Sequence, residues 1–226
     1  FQSEWPLPPS IRYCRMAIEC LAQVHAFWWD HDKLQGITEN FASEAEVSEW
    51  IEQIRRDSAE FISFMGDRIS ANGKSIMEKW LASLDKQSER YLTRRNLTLT
   101  HNDAHLGNFM FPKEWNGSTK IIDWQGFGHG VATDDLAYMI ALSWFPDRRR
   151  QFELDLLKAY HEMLLRHGVG CYSLNDLILD YRCSVAGHIA TPIWQWRHRI
   201  WAGIWHNNLE RILMAYDDLH CAELLD

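Results

Sequence analysis

Four polar side chains crowd one short stretch of the sequence, "LTHNDAHLGNFMF" between Leu99 and Phe111: His101, Asp103, His105 and Asn108. Apolar residues flank them, so the group sits at the edge of a core. Three chemistries could use such a set. Histidines four apart share a helix face and could hold a metal for hydrolysis. But "LTLT" before and Gly107-Asn108 within favour a strand and a loop. The acidic residue also lies between the histidines rather than in the HExxH position. A serine or cysteine nucleophile has no GxSxG, and Cys171 and Cys183 carry no local signature. Phosphoryl transfer needs a carboxylate beside the attacking hydroxyl, oxygen ligands for Mg²⁺ and a second carboxylate on the metal. Asp103, Asn108 and the later Asp123 of "IIDWQGFG" supply that order of oxygen donors.

These residues need loops held by strands inside a larger core. Ser10 can cap a helix in which Ile11, Cys14, Ile18, Leu21, His25 and Trp28 recur at helical spacing, to about Trp29. Before it, the prolines of "FQSEWPLPPS" favour extended chain. "SEAE" at Ser43–Glu46 is a capping-box pattern. Helical periodicity runs from there towards Arg68, pauses at "ANG", and resumes from Ser75 to Tyr91. "LTLTH" is β-compatible. "NFMF" and "KIIDW" flank a turn signal at Asn116-Gly117 and read as a small hairpin. Helices are expected again over 133–144, 149–167, 173–190 and 202–219. The fold class is therefore mainly α with a small β-hairpin (α+β), in three sections: helical 1–95, the loop and hairpin 96–130, and helical 131–226.

Composition narrows the partners. The chain has 226 residues and a formal charge of −8, which disfavours nucleic acid because phosphate binding needs a basic face. Five cysteines, none in a CxxC pair, fit a reducing compartment. With no membrane-length apolar run and no signal peptide evident, a cytoplasmic location is expected.

"HNDAHLGN" resembles the HGDxHxxN loop of the aminoglycoside phosphotransferase and choline kinase group, and "IIDWQ" resembles that group's metal-binding Asp motif. The Asp-Trp-Gln form is similar to the ecdysteroid-kinase-like branch. "TDDLAYMI" resembles the later Asp-Leu-Ala segment, and "LAQVHAFWW" the helix before the loop. The matches run in order from about residue 20 to 142. The resemblance implies that Asp103 is the catalytic carboxylate and that Asn108 and Asp123 ligate Mg²⁺. It also implies that His101 packs under the loop, that His105 approaches the transferring phosphate, and that Asp135, with Asp134 as rival, anchors the loop. Asn102 stands where the group usually has Gly; Asn tolerates unusual backbone angles better than most residues.

The resemblance further implies ATP or another nucleoside triphosphate as donor and a small-molecule hydroxyl as acceptor. The Gly-rich phosphate loop and strand lysine of such kinases do not appear before residue 101. Gly73-Lys74-Ser75 is only a fragment of a P-loop. The expectation is a protein-kinase-like C-terminal lobe whose N-terminal nucleotide-binding lobe is absent from the sequence. A non-catalytic kinase-like binding or scaffold module is the alternative reading, and a metal-dependent hydrolase a more distant one. Trp194, His198, Trp201 and Trp205 fall at i, i+4, i+7 and i+11, one helix face that is either core or an aromatic wall for the acceptor.

Overall fold

The computed structural model describes residues 10–37, 43–113 and 117–224. In chain order the elements are α1 (Ile11–Trp28), α2 (Leu34–Ile37), α3 (Glu44–Met65), α4 (Ala71–Ala82), α5 (Leu84–Leu92), β1 (Leu97–Thr100), β2 (Phe109–Met110), β3 (Lys120–Ile121), β4 (Gly128–Val131), α6 (Ala132–Ala137), α7 (Pro146–Arg166), α8 (Leu174–Gly187), α9 (Ala190–Arg197) and α10 (Ala202–Asp218). The fold is mostly helical with two small antiparallel strand pairs, β1 with β4 and β2 with β3. It divides into two compact units: Phe1–Asn40 with Arg95–Tyr181, and Phe41–Arg94 with Arg182–Asp226.

In the first unit, Ser10 caps α1 by accepting from the Tyr13 N–H. The 3.6-residue spacing then buries Cys14, Ala17, Ile18, Leu21 and Ala22 on one face. That face packs on α7, which contributes Leu156, Leu157, Tyr160 and Leu164. Each fully buried leucine or isoleucine here contributes roughly 1.5–3 kcal/mol. The end of α1 is tied to β1: the Asp30 carboxylate accepts from the N–H groups of Asn96 and Leu97 at 3.1 and 2.9 Å. The Thr98 hydroxyl donates to the His25 carbonyl at 2.7 Å.

The hairpin of β2 and β3 pairs Phe109 with Ile121 and Met110 with Lys120. Its Asn116 turn signal, like the extended start of the chain, lies outside the described residues. β4 is a strand that the sequence does not announce. It pairs with β1 in the register Leu97 to Val131, Thr98 to Gly130, Leu99 to His129 and Thr100 to Gly128. Two of its four residues are glycines, so it shows no alternation of side chains. Gly128 is needed for close approach: a Cβ there would stand 2.7 Å from the Asn102 amide nitrogen.

In the second unit, Ser43 opens α3, accepting from the Glu46 N–H and donating to the Glu46 carboxylate. The expected pause at Ala71-Asn72-Gly73 is displaced. The break is at Gly66–Ser70, and the three residues form the first turn of α4, capped by Ser70 through the Gly73 N–H at 3.0 Å. Gly73 serves packing, since a Cβ would lie 2.9 Å from Ile69 and 3.2 Å from Leu213.

The Trp194–Trp205 stripe does not share one helix. α9 stops at Arg197, and Arg199 takes a left-handed φ of 59°. The Ile200 N–H bonds to the Gln195 carbonyl and the Arg199 N–H to the Trp196 carbonyl, at 2.9 and 3.0 Å. This is a Schellman closure, which usually carries glycine at the left-handed position. Arg199→Gly is therefore expected to stabilise the protein by about 0.5–1 kcal/mol, because it removes the Cβ clash of a left-handed residue at some entropic cost. A rise in the urea midpoint at unchanged slope is the check.

Candidate active site

The site is built on a buried carboxylate. Asp135, in α6, is fully buried; its Oδ2 accepts from the His101 N–H at 2.7 Å and its Oδ1 from the Asn102 N–H at 2.8 Å. His25 of α1 adds Nε2 at 3.1 Å from the same Oδ2, and its Nδ1 lies 2.7 Å from the Tyr160 hydroxyl of α7. Burial, and then the Asp135 charge, raises the Tyr160 phenol well above its ordinary pKa. Tyr160 thus keeps its proton, and His25 presents its Nε2–H to Asp135. Burial alone would push the Asp135 carboxyl up. His25 and the two loop N–H groups more than offset this and hold it below the usual carboxylate range.

The anchored loop follows β1 directly. Asn102 is held at φ 63°, and its side-chain amide donates to the Gly126 carbonyl at 2.9 Å. His101 is buried with both ring nitrogens engaged. Nδ1 accepts from the Asp103 N–H at 3.3 Å and Nε2 donates to the Ile122 carbonyl at 2.9 Å. Its one acceptor nitrogen and its one N–H are both committed to the backbone, so His101 has a structural role. His105 folds back so that Nδ1 accepts from the Gly107 N–H at 3.1 Å, which places Nε2 3.7 Å from Asp103 Oδ2. Gly107 has no side chain to obstruct this, since a Cβ would stand 2.9 Å from the imidazole. Asn108 turns its Nδ2 toward Asp103, donating to the backbone carbonyl at 2.8 Å and to Oδ2 at 3.1 Å. The Oδ1 of Asn108 is thereby left facing away from these donor bonds, as an oxygen available to a cation.

Asp123 arrives beside Asn108 through the hairpin. The Ile122 N–H bonds to the Asn108 carbonyl at 2.9 Å, which extends the β2–β3 ladder by one step to the residue before Asp123. Asp123 sits at φ 65° and ψ 56°, a sparsely populated conformation for a residue with a side chain. Its carboxylate is exposed, and among the described residues it has no hydrogen-bond or ion-pair partner. An unpartnered carboxylate is the kind of oxygen ligand that a hard cation such as Mg²⁺ takes. Among the described residues, no group of three or more His, Cys, Asp or Glu side chains is placed to hold a metal ion.

Three residues of this site gain a role only from the structure, although His25 and Tyr138 lie within the segments "LAQVHAFWW" and "TDDLAYMI". His25 and Tyr160 occupy core positions of amphipathic helices, and only their polar atoms give them away. Tyr138 follows α6, and its hydroxyl is hydrogen-bonded to the Asp103 carboxylate. Trp194, His198, Trp201 and Trp205 belong to the second unit. There Trp194 stacks on His198 at 4.2 Å, and Trp194 and Trp201 are exposed. Trp205 is core, packed against Phe61 and Phe64 at 5.7 and 6.2 Å between ring centroids.

The sequence profile of the phosphotransferase enzyme family, APH, matches residues 4–169. The chain belongs to the APH phosphotransferase family. No curated protein sequence matches it. A crystal structure of a Ralstonia eutropha protein provisionally named an aminoglycoside phosphotransferase superposes with a TM-score of 0.56 at 14% identity, covering 97% of this chain and 69% of that one. At that identity the likeness shows a shared fold. Membership of APH makes this a kinase-type enzyme in general terms. Among the described residues no helix is long and apolar enough to cross a membrane.

The anchor has a measurable signature. Since the folded Asp135 carboxyl is held low, its contribution to stability is fully present above the unfolded value of about 3.9 and drains as pH falls through the lower folded value. Asp135→Asn is expected to cost about 3 kcal/mol or more, because an amide NH₂ would face a donor N–H and leave His25 without its anion. Urea unfolding from pH 7 to about pH 2 should show an acid-side loss in the wild type that the variant lacks.

Proposed function

We propose that this APH protein transfers the γ-phosphoryl group of ATP, or another nucleoside triphosphate, to a hydroxyl of a small molecule. The observation that supports the reading is the backbone pairing of Ile122 with Asn108, which brings the turn that carries Asp123 alongside the loop that carries Asp103 and Asn108. Asp103 accepts from the Asn108 amide, and the Asp123 carboxylate has no partner among the described residues. Asp103 would receive the hydroxyl hydrogen of the acceptor, align its oxygen for attack and accept the proton late in transfer. Asn108 Oδ1 and Asp123 would hold Mg²⁺, which when bound neutralises charge on the phosphate oxygens. His105, with Nε2 turned towards Asp103, would meet the transferring group from the acceptor side.

The reading includes a lobe. Residues 1–226 would be the catalytic-loop lobe, with the adenine and the remaining phosphate contacts supplied by a separate nucleotide-binding lobe. The 69% coverage of the Ralstonia eutropha chain supports room for such a segment. The exposed Trp194, His198 and Trp201 of the second unit are proposed separately as an aromatic surface suited to an apolar or cationic molecule.

In the full-length protein, Asp103→Asn should leave the fold intact and lower phosphoryl transfer by about 10²–10⁴-fold, the range for a positioned general base. Near-normal transfer would refute the assignment. Asp123→Ala should abolish Mg²⁺-dependent nucleotide binding in calorimetric titration, whereas Asn108→Ala, losing one neutral ligand, should weaken it less. The reverse order would remove Asp123 as the main ligand. Residues 1–226 by themselves, with net charge −8, should bind MgATP weakly. Micromolar binding would show that no second lobe is required.

A further inference from the structure

α6 passes into a π-helical turn, Tyr138–Leu142. Such turns are rare and concentrate at functional sites. Both backbone groups of Tyr138 are held. Its N–H is shared by the carbonyls of Asp134 and Asp135, and its carbonyl accepts from the Ser143 hydroxyl at 2.8 Å. The phenol points at the catalytic loop, where its oxygen is hydrogen-bonded to the Asp103 carboxylate. Burial first, and the Asp103 charge second, raises this phenol far above an ordinary tyrosine, so the proton stays on it and Tyr138 is the donor.

An aspartate carboxylate rotates over a broad, two-fold torsional profile, so loop geometry by itself leaves its oxygens unaimed. Here two donors from different elements act on it: the Asn108 amide at 3.1 Å from Oδ2, and the Tyr138 phenol. A carboxylate offers about four acceptor positions. These donors leave the remaining positions for a substrate hydroxyl. Asp135 and Tyr138 are three residues apart, one helical turn. One turn therefore fixes the loop backbone through Asp135 and the loop carboxylate through Tyr138.

We propose that Tyr138 is a positioning residue for phosphoryl transfer, its hydroxyl fixing the rotation of the Asp103 carboxylate so that one oxygen faces the acceptor hydroxyl. The proposal rests on the assignment of Asp103 made above. It predicts an effect on turnover, exerted through Asp103, with nucleotide binding left alone.

The test is a four-protein cycle in the full-length protein: wild type, Tyr138→Phe, Asp103→Asn and the double variant. The reaction followed is phosphate release from MgATP, with water in place of the acceptor. Tyr138→Phe keeps the ring and removes the hydroxyl. It should lower kcat about 10- to 100-fold, the effect of one hydrogen bond to a charged group, with KM for MgATP unchanged within twofold. In the Asp103→Asn background the same substitution should have no further effect. Urea midpoints of the four proteins should show the same non-additivity, a readout that needs no activity. Wild-type kcat in Tyr138→Phe, or an equal further loss on top of Asp103→Asn, would overturn the positioning role. So would additive urea midpoints. Full turnover by Asp103→Asn is the separate outcome in which the phosphotransfer assignment itself falls, and the role of Tyr138 with it.

Discussion

Everything at the site depends on Asp135 being ionised where no water reaches it. A lone buried carboxylate is costly enough that it would take up a proton instead. Asp135 remains charged because three donors converge on it, two from the loop backbone and one from His25, whose other ring nitrogen is held by Tyr160. The arrangement is a poor way to gain stability, since a well-packed apolar group would cost less. Its value is geometric. The N–H groups of His101 and Asn102 can satisfy both carboxylate oxygens in only one loop conformation, and that conformation aims Asp103.

The second constraint is backbone strain placed both in the loop that carries Asp103 and in the turn that carries Asp123. Asn102 and Asp123 each take a left-handed conformation at φ 63° and 65°, which costs a residue with a side chain about 1–2 kcal/mol. The two are cross-linked. The Asn102 side chain reaches the Gly126 carbonyl just after Asp123, and His101 Nε2 reaches the Ile122 carbonyl just before it. Glycine at position 102 would adopt the backbone angle more easily but could not make the first of these bonds. Asn102 thus couples the loop that carries Asp103 to the turn that carries Asp123.

Much of this was legible in the sequence, for reasons that differ by element. α1 shows itself through an unbroken 3.6-residue pattern and a capping serine. Asp103, Asn108 and Asp123 show themselves by offset, because a loop and a short hairpin fix their separation along the chain. β4 stays hidden because glycines at 128 and 130 carry no side-chain pattern, and the close approach to Asn102 that requires Gly128 is a tertiary fact. The end of α9 stays hidden because an arginine, not a glycine, occupies the left-handed position, so the aromatic stripe reads as continuous. His25, Tyr160 and Tyr138 stay hidden for a third reason. Each satisfies the helical periodicity of a core residue, and periodicity says nothing about where a polar atom at the end of a buried side chain finds its partner.

The two functional carboxylates are treated in opposite ways, and the difference matches the work each would do. Asp103 is half-buried and receives donors from Asn108 and Tyr138. A base that meets a neutral hydroxyl gains little from bare charge and much from direction, because its oxygen must lie along the O–H axis at the moment of transfer. Asp123 is exposed and, among the described residues, unpartnered. A ligand for a divalent cation needs its full charge uncommitted, and the cation's own field sets the final orientation of the carboxylate. Protein donors aimed at Asp123 would weaken it as a ligand, whereas donors aimed at Asp103 sharpen it as a base. The strained backbone of Asp123 and the hydrogen-bonded side chain of Asp103 are two means of positioning, one of which leaves the carboxylate oxygens free.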